Sequence, residues 1–452
     1  MTFATFSESE PQTTDVGGSD EIEAPSSSNI DIYLRIRPVA EAWDGIQIGT
    51  EESDVRFTIP RKSSHGLVNN QREAYQFRFN TVFPASSSQE KVFDGAARNL
   101  VLQSLDGING TVFAYGQTGS GKTFTITGGP QRYADRGIIP RAISLIFSSI
   151  AERKDTQYTV HVSYLEIFNE AGYDLLDQER EVRLLEDLPR VHVLEDEDAV
   201  IHTRNLSMHR ATTEEDALNL LFWGDTNRTI SETPMNMASS RSHCIFTLYL
   251  EGRKAGEDVV RSSKVNLVDL AGSERVAKTQ VSGTILKEAK YINLSLHYLE
   301  QVIIALQERS MGQARLHVPY RNSMMTTVLR DSLGGNCRTV MVANINGASA
   351  HVDESISTCR FAERVAMICN TVTMNLEMDP DIVIKRLKQE NQDLKHEIRL
   401  LRGEHADDGE GSSLMITKEQ CSAISSAIDA FISDASPDAS LSLGTNMRMI
   451  RW

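Results

Sequence analysis

Gly116-Gln117-Thr118-Gly119-Ser120-Gly121-Lys122-Thr123 is the stretch on which the reading of this chain turns. It satisfies the pattern G-x-x-x-x-G-K-[ST] at each specified position. The apolar run Thr111-Val112-Phe113-Ala114-Tyr115 before it reads as a buried strand, and a helix can start at Gly121. In that setting the glycines turn backbone N–H groups inward to cradle β- and γ-phosphates. Lys122 adds a positive charge there, and the Thr123 hydroxyl is placed to ligate Mg²⁺. A Gly/Ser/Thr loop can meet this pattern by chance, so the rest of the chain has to support it.

Two further segments do so. Val265-Asn266-Leu267-Val268-Asp269 is a mostly apolar strand ending in a carboxylate, an arrangement that holds Mg²⁺ through a water beside a phosphate loop. Gly272 follows closely, and a glycine there can offer its N–H to a γ-phosphate and change conformation when the phosphate leaves. Asn236-Met237-Ala238-Ser239-Ser240-Arg241-Ser242-His243 supplies hydroxyls suited to Mg²⁺ and γ-phosphate, with Ser240 as a metal ligand and Arg241 positioned to pair with Glu274. Taken singly, each segment is a common polar loop or strand end.

Composition bounds the rest. With 452 residues, 40% hydrophobic and 24% charged, the chain has the make-up of a soluble globular protein with room for two or three domains. No apolar stretch approaches the ~18 residues of a membrane span. Met1 to Asn29 lacks Lys and Arg, which fits neither a secretory signal nor a transit peptide. The five cysteines fall at no metal-ligand spacing and are expected to be reduced thiols. Of the net charge of −16, residues 1–29 contribute six acids and no base, and residues 403–452 eight acids against three bases, which leaves −5 for the middle. Within it, Gly272 to Lys290 and Arg309 to Arg338 are basic clusters, readable as solvated faces or as surfaces for an acidic partner.

Residues 1–29, rich in Ser, Thr and Glu, are expected to be disordered. From Ile30 strands and helices alternate. Ile32–Ile36, Val160–Phe168, Cys244–Leu250, Val265–Val268 and Val340–Ile345 read as strands. Ser87–Leu105 and Leu286–Leu306 read as helices, with another entered at Pro140. This implies an α/β layer fold around a central, mostly parallel or mixed sheet with helices on both faces. Beyond Pro380, Ile384, Leu387, Asn391, Leu394, Ile398 and Leu401 form an a/d seam. It reads either as a short parallel coiled coil, giving a homodimer, or as one amphipathic helix packed on the globular domain. An acidic linker at 403–415 and a second amphipathic helix from Ile416 follow.

Together and in this order, these segments resemble the kinesin motor domain from about Ile30 to Asn375. Asp269-Leu270-Ala271-Gly272-Ser273-Glu274 is similar to its second switch and Asn236–His243 to its first. Arg35-Ile36-Arg37-Pro38 resembles its adenine-contact motif, with Phe124 over the other face of the base. Tyr164–Glu170, Val318-Pro319-Tyr320-Arg321 and Asp331–Asn336 also fit. The resemblance implies a P-loop motor domain at 30–368, a neck linker at 369–380 from Ile368 to a latch at Asn375, and a neck helix at 381–402. It implies hydrolysis of ATP with Mg²⁺, an Arg241–Glu274 bridge that positions the attacking water, and the microtubule as track. Arg275, Lys278, Lys290, Arg321 and Arg330 are then the candidate track contacts. Neither nucleic acid nor membrane insertion is expected.

Leu294 and Met324 stand where transport members carry Lys, and Thr327 where Arg is common. Those departures keep open a second reading, a nucleotide-gated microtubule-binding scaffold that hardly moves. Lys290–Ile303, Arg321–Met325 and Leu443–Ile450 resemble the ninth, ciliary and flagellar, kinesin class. That likeness implies a cytoskeletal location in the axoneme, and a post-neck segment at 416–452 cut short at Trp452.

Overall fold

The apolar runs become strands stacked edge to edge. The computed structural model describes residues 26–59, 73–129, 131–178, 184–196, 201–231, 241–274, 284–312, 317–401 and 418–433. The strands, in chain order, are β1 Ser26–Asn29, β2 Asp31–Arg37, β3 Ile46–Ile48, β4 Asp54–Thr58, β5 Ala74–Arg78, β6 Thr81–Phe83, β7 Gly110–Tyr115, β8 Thr156–Phe168 and β9 Ala171–Asp174. They continue with β10 Arg190–Glu195, β11 Ile201–Arg204, β12 His209–Ala211, β13 His243–Lys254, β14 Val259–Asp269, β15 Arg338–Asn346, β16 Cys369–Val372 and β17 Leu376–Met378. The helices are α1 Gln89–Ala96, α2 Arg98–Ser104, α3 Lys122–Ile126, α4 Ile138–Glu152, α5 Glu214–Ser231, α6 Thr284–Ser310, α7 Met324–Val328, α8 Val352–Val365, α9 Pro380–Leu401 and α10 Lys418–Ser433. The chain divides into two units, Met1–Glu377 and Met378–Trp452, with α9 and α10 in the second.

One mixed sheet carries the first unit, in the order β11-β10-β9-β8-β13-β14-β7-β15-β2-β6. Strands β14, β7, β15, β2 and β6 run parallel, while β8, β13 and β14 form long antiparallel pairs. Every residue of β15 after Arg338 is buried, as a strand covered on both faces requires. Along β7 and β15 successive residues alternate between two apolar clusters, so the clusters lie on opposite faces of the sheet. One holds Leu296, Leu299, Val302 and Ile303 of α6 with Ile356 and Phe361 of α8. The other holds α1, α2 and α4 through residues such as Phe93, Leu100 and Ile143. The sheet with helices on both faces is therefore present. Because β7 and β14 are parallel neighbours, Tyr115 and Asp269 end at the same edge, where ligands of parallel sheets bind.

Three expectations need correction. Ser26–Asn29 belong to β1, antiparallel to β16, and Ile30 donates its N–H to Ile368 O at 3.1 Å. Nothing in a Ser-rich tetrapeptide favours a strand, so the edge of β16 supplies the reason. The remainder of the N-terminal stretch lies outside the described residues. The helix expected at Ser87–Leu105 is two helices, parted at Ala97 with φ −122°. Gly95 stands two residues before the break, in the last turn of α1, and both pieces bury their apolar faces in one cluster. The helix expected to open at Pro140 begins at Ile138, with Pro140 in the first turn, where backbone N–H donors have no intrahelical acceptor and a missing one costs nothing.

In the second unit, α9 exposes Ile384, Leu387, Leu394 and Ile398, four of the six residues of the a/d seam.

Candidate functional site

The phosphate loop follows β7 directly. Gly121 caps α3 with φ +98°, a left-handed conformation that side chains rarely adopt. Lys122 is buried and its ammonium donates to Gln117 O at 3.0 Å. Burial pulls its pKa below the ordinary lysine value, against the nearby Asp269 and Glu274 carboxylates. The Thr123 hydroxyl donates to Asp269 Oδ2 at 2.6 Å, which brings together the two metal-ligand candidates described here. Asp269 Oδ1 is buried without a hydrogen-bond partner. An anionic oxygen cannot be left so without a large cost, and a hydrated cation between it and Thr123 would satisfy it. The donor set fits Mg²⁺, which keeps several waters and takes few protein ligands.

The second-switch segment lies across the loop. Ser273 donates its N–H to Gly116 O at 3.1 Å. Glu274 accepts from the Thr118 N–H at 2.8 Å and from its hydroxyl at 2.5 Å, so a carboxylate already sits on a loop amide. A Cβ on Gly272 would lie 2.2 Å from Thr118 Oγ1 and 2.4 Å from Glu274 Oε2, so any larger residue would push the Glu274 carboxylate off Thr118. Arg241 is half-buried two residues ahead of β13, while Ser239 and Ser240 lie outside the described residues.

Arg37, Pro38, Thr118, Gly119, Gly121, Lys122, Thr123 and Phe124 line one cleft of ≈ 490 Å³. Pro38 and the exposed Phe124 ring offer it apolar faces suited to a base, and Arg37 bonds Gly119 O from its rim. Gly116, Gln117 and Ser120 do not line the cleft; Gln117 and Ser120 are buried, and Gln117 O accepts from the Ser120 N–H and from Lys122. Arg35 corrects the expected contact set, because it does not line the cleft. It is buried, donates to Gln89 Oε1 at 2.8 Å and Thr125 Oγ1 at 2.9 Å, and lies 5.3 Å from the Phe124 ring centroid. Burial lowers its pKa to about 10. Its side chain therefore ties β2 to α1 and α3 and holds Phe124 in place.

Several site residues have no local motif. Arg228 of α5 is buried and pairs with Asp269 Oδ2 at 3.3 Å. It shares a helix face with Asp225, an i,i+3 charge pair that was the one visible signal. Burial raises the Asp225 carboxyl to about 6, and Tyr164 donates to it at 3.0 Å. Asn370 of β16 is buried, accepts from the Gly334 N–H and donates to Ser332 O and Cys337 O.

Of the basic candidates, Arg275 and Lys278 lie outside the described residues, and Lys290 lies on α6 where side chains are not described. Arg321 and Arg330 converge on one carboxylate, Glu195 of β10, at 2.6 and 2.7 Å. The two guanidinium groups, Arg321 first, hold that carboxyl down to about 2. Met324 packs against the core beside Gly172, and the Thr327 hydroxyl is spent on Tyr320 O and Ser323 O.

Beyond the buried Ile368, the chain lies along the first unit. The Asn375 N–H donates to Gly107 O at 2.9 Å, and Asn375 O accepts from the Ser262 N–H. Its side chain donates to Gly107 O and Ser262 O, both at 3.1 Å, and accepts from Asn336 at 2.9 Å.

Among the described residues no helix is long and apolar enough to cross a membrane. Comparison with known proteins agrees with the geometry. The mouse kinesin-like protein KIF9 is 42% identical over 374 residues, covering 82% of this chain and 46% of the relative. The kinesin-like protein KLP1 of Chlamydomonas reinhardtii is 42% identical over 377 residues, 82% of this chain and 47% of its own. The chain thus spans about half the length of these relatives. The solved structure of a fast kinesin superposes with a TM-score of 0.67 at 34% identity, covering 78% of this chain and 95% of the other. A KIF14 dimer, two heads bound to a microtubule with AMP-PNP, gives 0.70 at 31%, covering 80% and 100%. The kinesin motor domain profile matches residues 35–368, the span that holds the phosphate loop, Asp269 and Glu274, and the chain belongs to the kinesin motor-domain family.

Proposed function

We propose that this chain is an ATP-hydrolysing motor domain that works on microtubules. The observation that carries the reading is the convergence of Lys122, Thr123, Asp269 and Glu274 on one cleft, with Asp269 Oδ1 left to a cation. Lys122 and the loop amides would hold the triphosphate, and Thr123, Asp269 (through a water) and Ser240 would be the protein residues that hold Mg²⁺. Mg²⁺ supplies charge neutralisation of the phosphates. Phosphoryl transfer needs positioning and charge stabilisation more than a strong base. Glu274 leaves Thr118 when the γ-phosphate arrives and pairs with Arg241, with Gly272 on the phosphate and Ser239 beside it. Pro38, Arg37 and Phe124 hold the base.

Arg275, Lys278, Lys290, Arg321 and Arg330 face the acidic track, as the microtubule-bound KIF14 neighbour favours. Residues 369–380 act as neck linker with Asn375 as latch. The exposed seam of α9 supports pairing with a second copy. The class likeness favours work in a cilium or flagellum. A second reading, a microtubule-binding ATPase with little transport, is favoured by one finding: Glu195 already occupies Arg321 and Arg330.

Steady-state ATPase with and without microtubules across a salt series, with Lys122→Ala beside the parent, tests the proposal. Turnover should rise with microtubules, fall with salt, and vanish in the variant. Turnover that survives Lys122→Ala defeats the site. Turnover indifferent to microtubules defeats the track.

A further inference from the structure

His243 takes no part in the function proposed above, yet it is buried at the first position of β13. Its Nδ1 accepts the Ala271 N–H at 3.1 Å. A nitrogen that accepts carries no proton, so the ring proton is on Nε2, which donates it to Ser295 Oγ at 2.8 Å. Burial, with the Lys122 charge adding to it, holds the pKa of the ring at about 3 and keeps it neutral. Ala271 immediately precedes Gly272, the residue wedged between Thr118 and Glu274. Ser295 is buried on α6, one residue beyond Leu294. A single rigid ring therefore joins the start of β13, the backbone leading to Gly272, and the helix that carries Lys290.

We propose that His243 is a positioning residue that couples the Asp269–Glu274 segment to α6, passing nucleotide-dependent displacement of Ala271 through its two nitrogens to Ser295. The proposal rests on the reading that the cleft binds a nucleoside triphosphate. Leu270 and Ala271 share an apolar cluster with Leu296 and Leu299, but apolar contact is non-directional and permits sliding. Two buried hydrogen bonds are different. If the segment shifts and α6 does not follow, an amide or a ring nitrogen is left unbonded inside the protein, and that cost favours joint movement.

Hydrogen exchange of α6 amides, with Mg²⁺–ADP or Mg²⁺–AMP-PNP bound, tests this without any microtubule. In the parent, exchange over Thr284–Ser310 should differ by about threefold or more between the two nucleotides. In Ser295→Ala, which keeps helix propensity, that difference should shrink to under about 1.5-fold while nucleotide affinity is unchanged. His243→Asn places a carboxamide oxygen where Nδ1 was and stops short of Ser295, so it should give the same collapse. The double variant should lose nothing further, since both changes cut one connection. A parent with bound nucleotide and no difference in α6 overturns the coupling, as does a Ser295→Ala protein that keeps the parent's difference. Fluorescent ADP binding in the same samples separates the two readings. A protein that binds no nucleotide defeats the cleft assignment, and with it the coupling. Nucleotide that binds but leaves α6 unchanged defeats the coupling alone.

Discussion

Replacing Asn375 by alanine should loosen the segment after Ile368 from Gly107, Ser262 and Asn336 without unfolding the first unit. The side chain makes three bonds, to Gly107 O, Ser262 O and Asn336 Nδ2. Gly107 O keeps the Asn375 backbone N–H at 2.9 Å, so that acceptor is not orphaned. Ser262 O and Asn336 Nδ2 each lose a partner at a part-buried position. A net hydrogen bond contributes about 0.5–1.5 kcal/mol, so two losses come to about 1–3 kcal/mol, or about five- to 150-fold in the docking equilibrium. The Ser262 N–H reports this directly, because it donates to Asn375 O at 3.2 Å. Its hydrogen exchange should accelerate by that factor, while the Leu329 amide, bonded to Met325 O, keeps its rate. Acceleration of Ser262 by less than about twofold would refute the claim that the side chain, and not the backbone, holds the segment.

Glu195→Gln releases Arg321 and Arg330, and microtubule co-sedimentation should tighten by about two- to tenfold at low salt and revert at high ionic strength. An affinity that falls instead would mean that Glu195 pre-orients the arginines. Burial holds Asp225 at about 6, above the ordinary aspartate range, so it contributes stability below the unfolded pKa that is lost as pH rises through 6. Asp225→Asn should accordingly gain about 1–3 kcal/mol in urea unfolding at pH 7.5 and nothing near pH 3.5. Met324→Lys, at a side chain packed beside Gly172, should lower the urea midpoint, whereas Thr327→Arg at a half-buried position should lower it less and add salt-sensitive microtubule binding.

Legibility in the sequence followed chain distance. The phosphate loop and Asp269 were readable because each is a short run whose chemistry is local. The strand and helix alternation was readable because buried strands are continuous apolar runs. Arg228 showed only its i,i+3 spacing from Asp225, and nothing announced its partner Asp269, 41 residues away. The His243–Ser295 bond spans 52 residues and that of Asn370 to Ser332 O spans 38, and no residue pattern announces either. Arg35 failed for the opposite reason. Its motif was recognised, but burial turned the guanidinium toward Gln89 and Thr125 while Arg37 and Pro38 reached the cleft. Ser26–Asn29 read as unstructured because their strand exists only where β16 offers an edge.

That two-stranded pairing has a mechanical meaning. Asn29 lies opposite Cys369, next to the Ile30–Ile368 bond, and Ser26 lies opposite Val372 at the free end. A pull that has freed Leu376 and Glu377 from β14 reaches the Asn375 side chain, then the Met374–Ile108 bridge and the Thr373 N–H on Asn336 Oδ1. Only after these does it reach the Val372 rung, from which it travels toward Cys369 one rung at a time. The strands are peeled and never sheared together, so no single high force separates them. Resistance comes as a series of small, reversible yields. Full release of Cys369–Asn375, seven residues, leaves a tether that reaches at most about 23–25 Å from Ile368. The attachment thus behaves as a graded spring whose stiffness depends on how many β1 rungs remain closed.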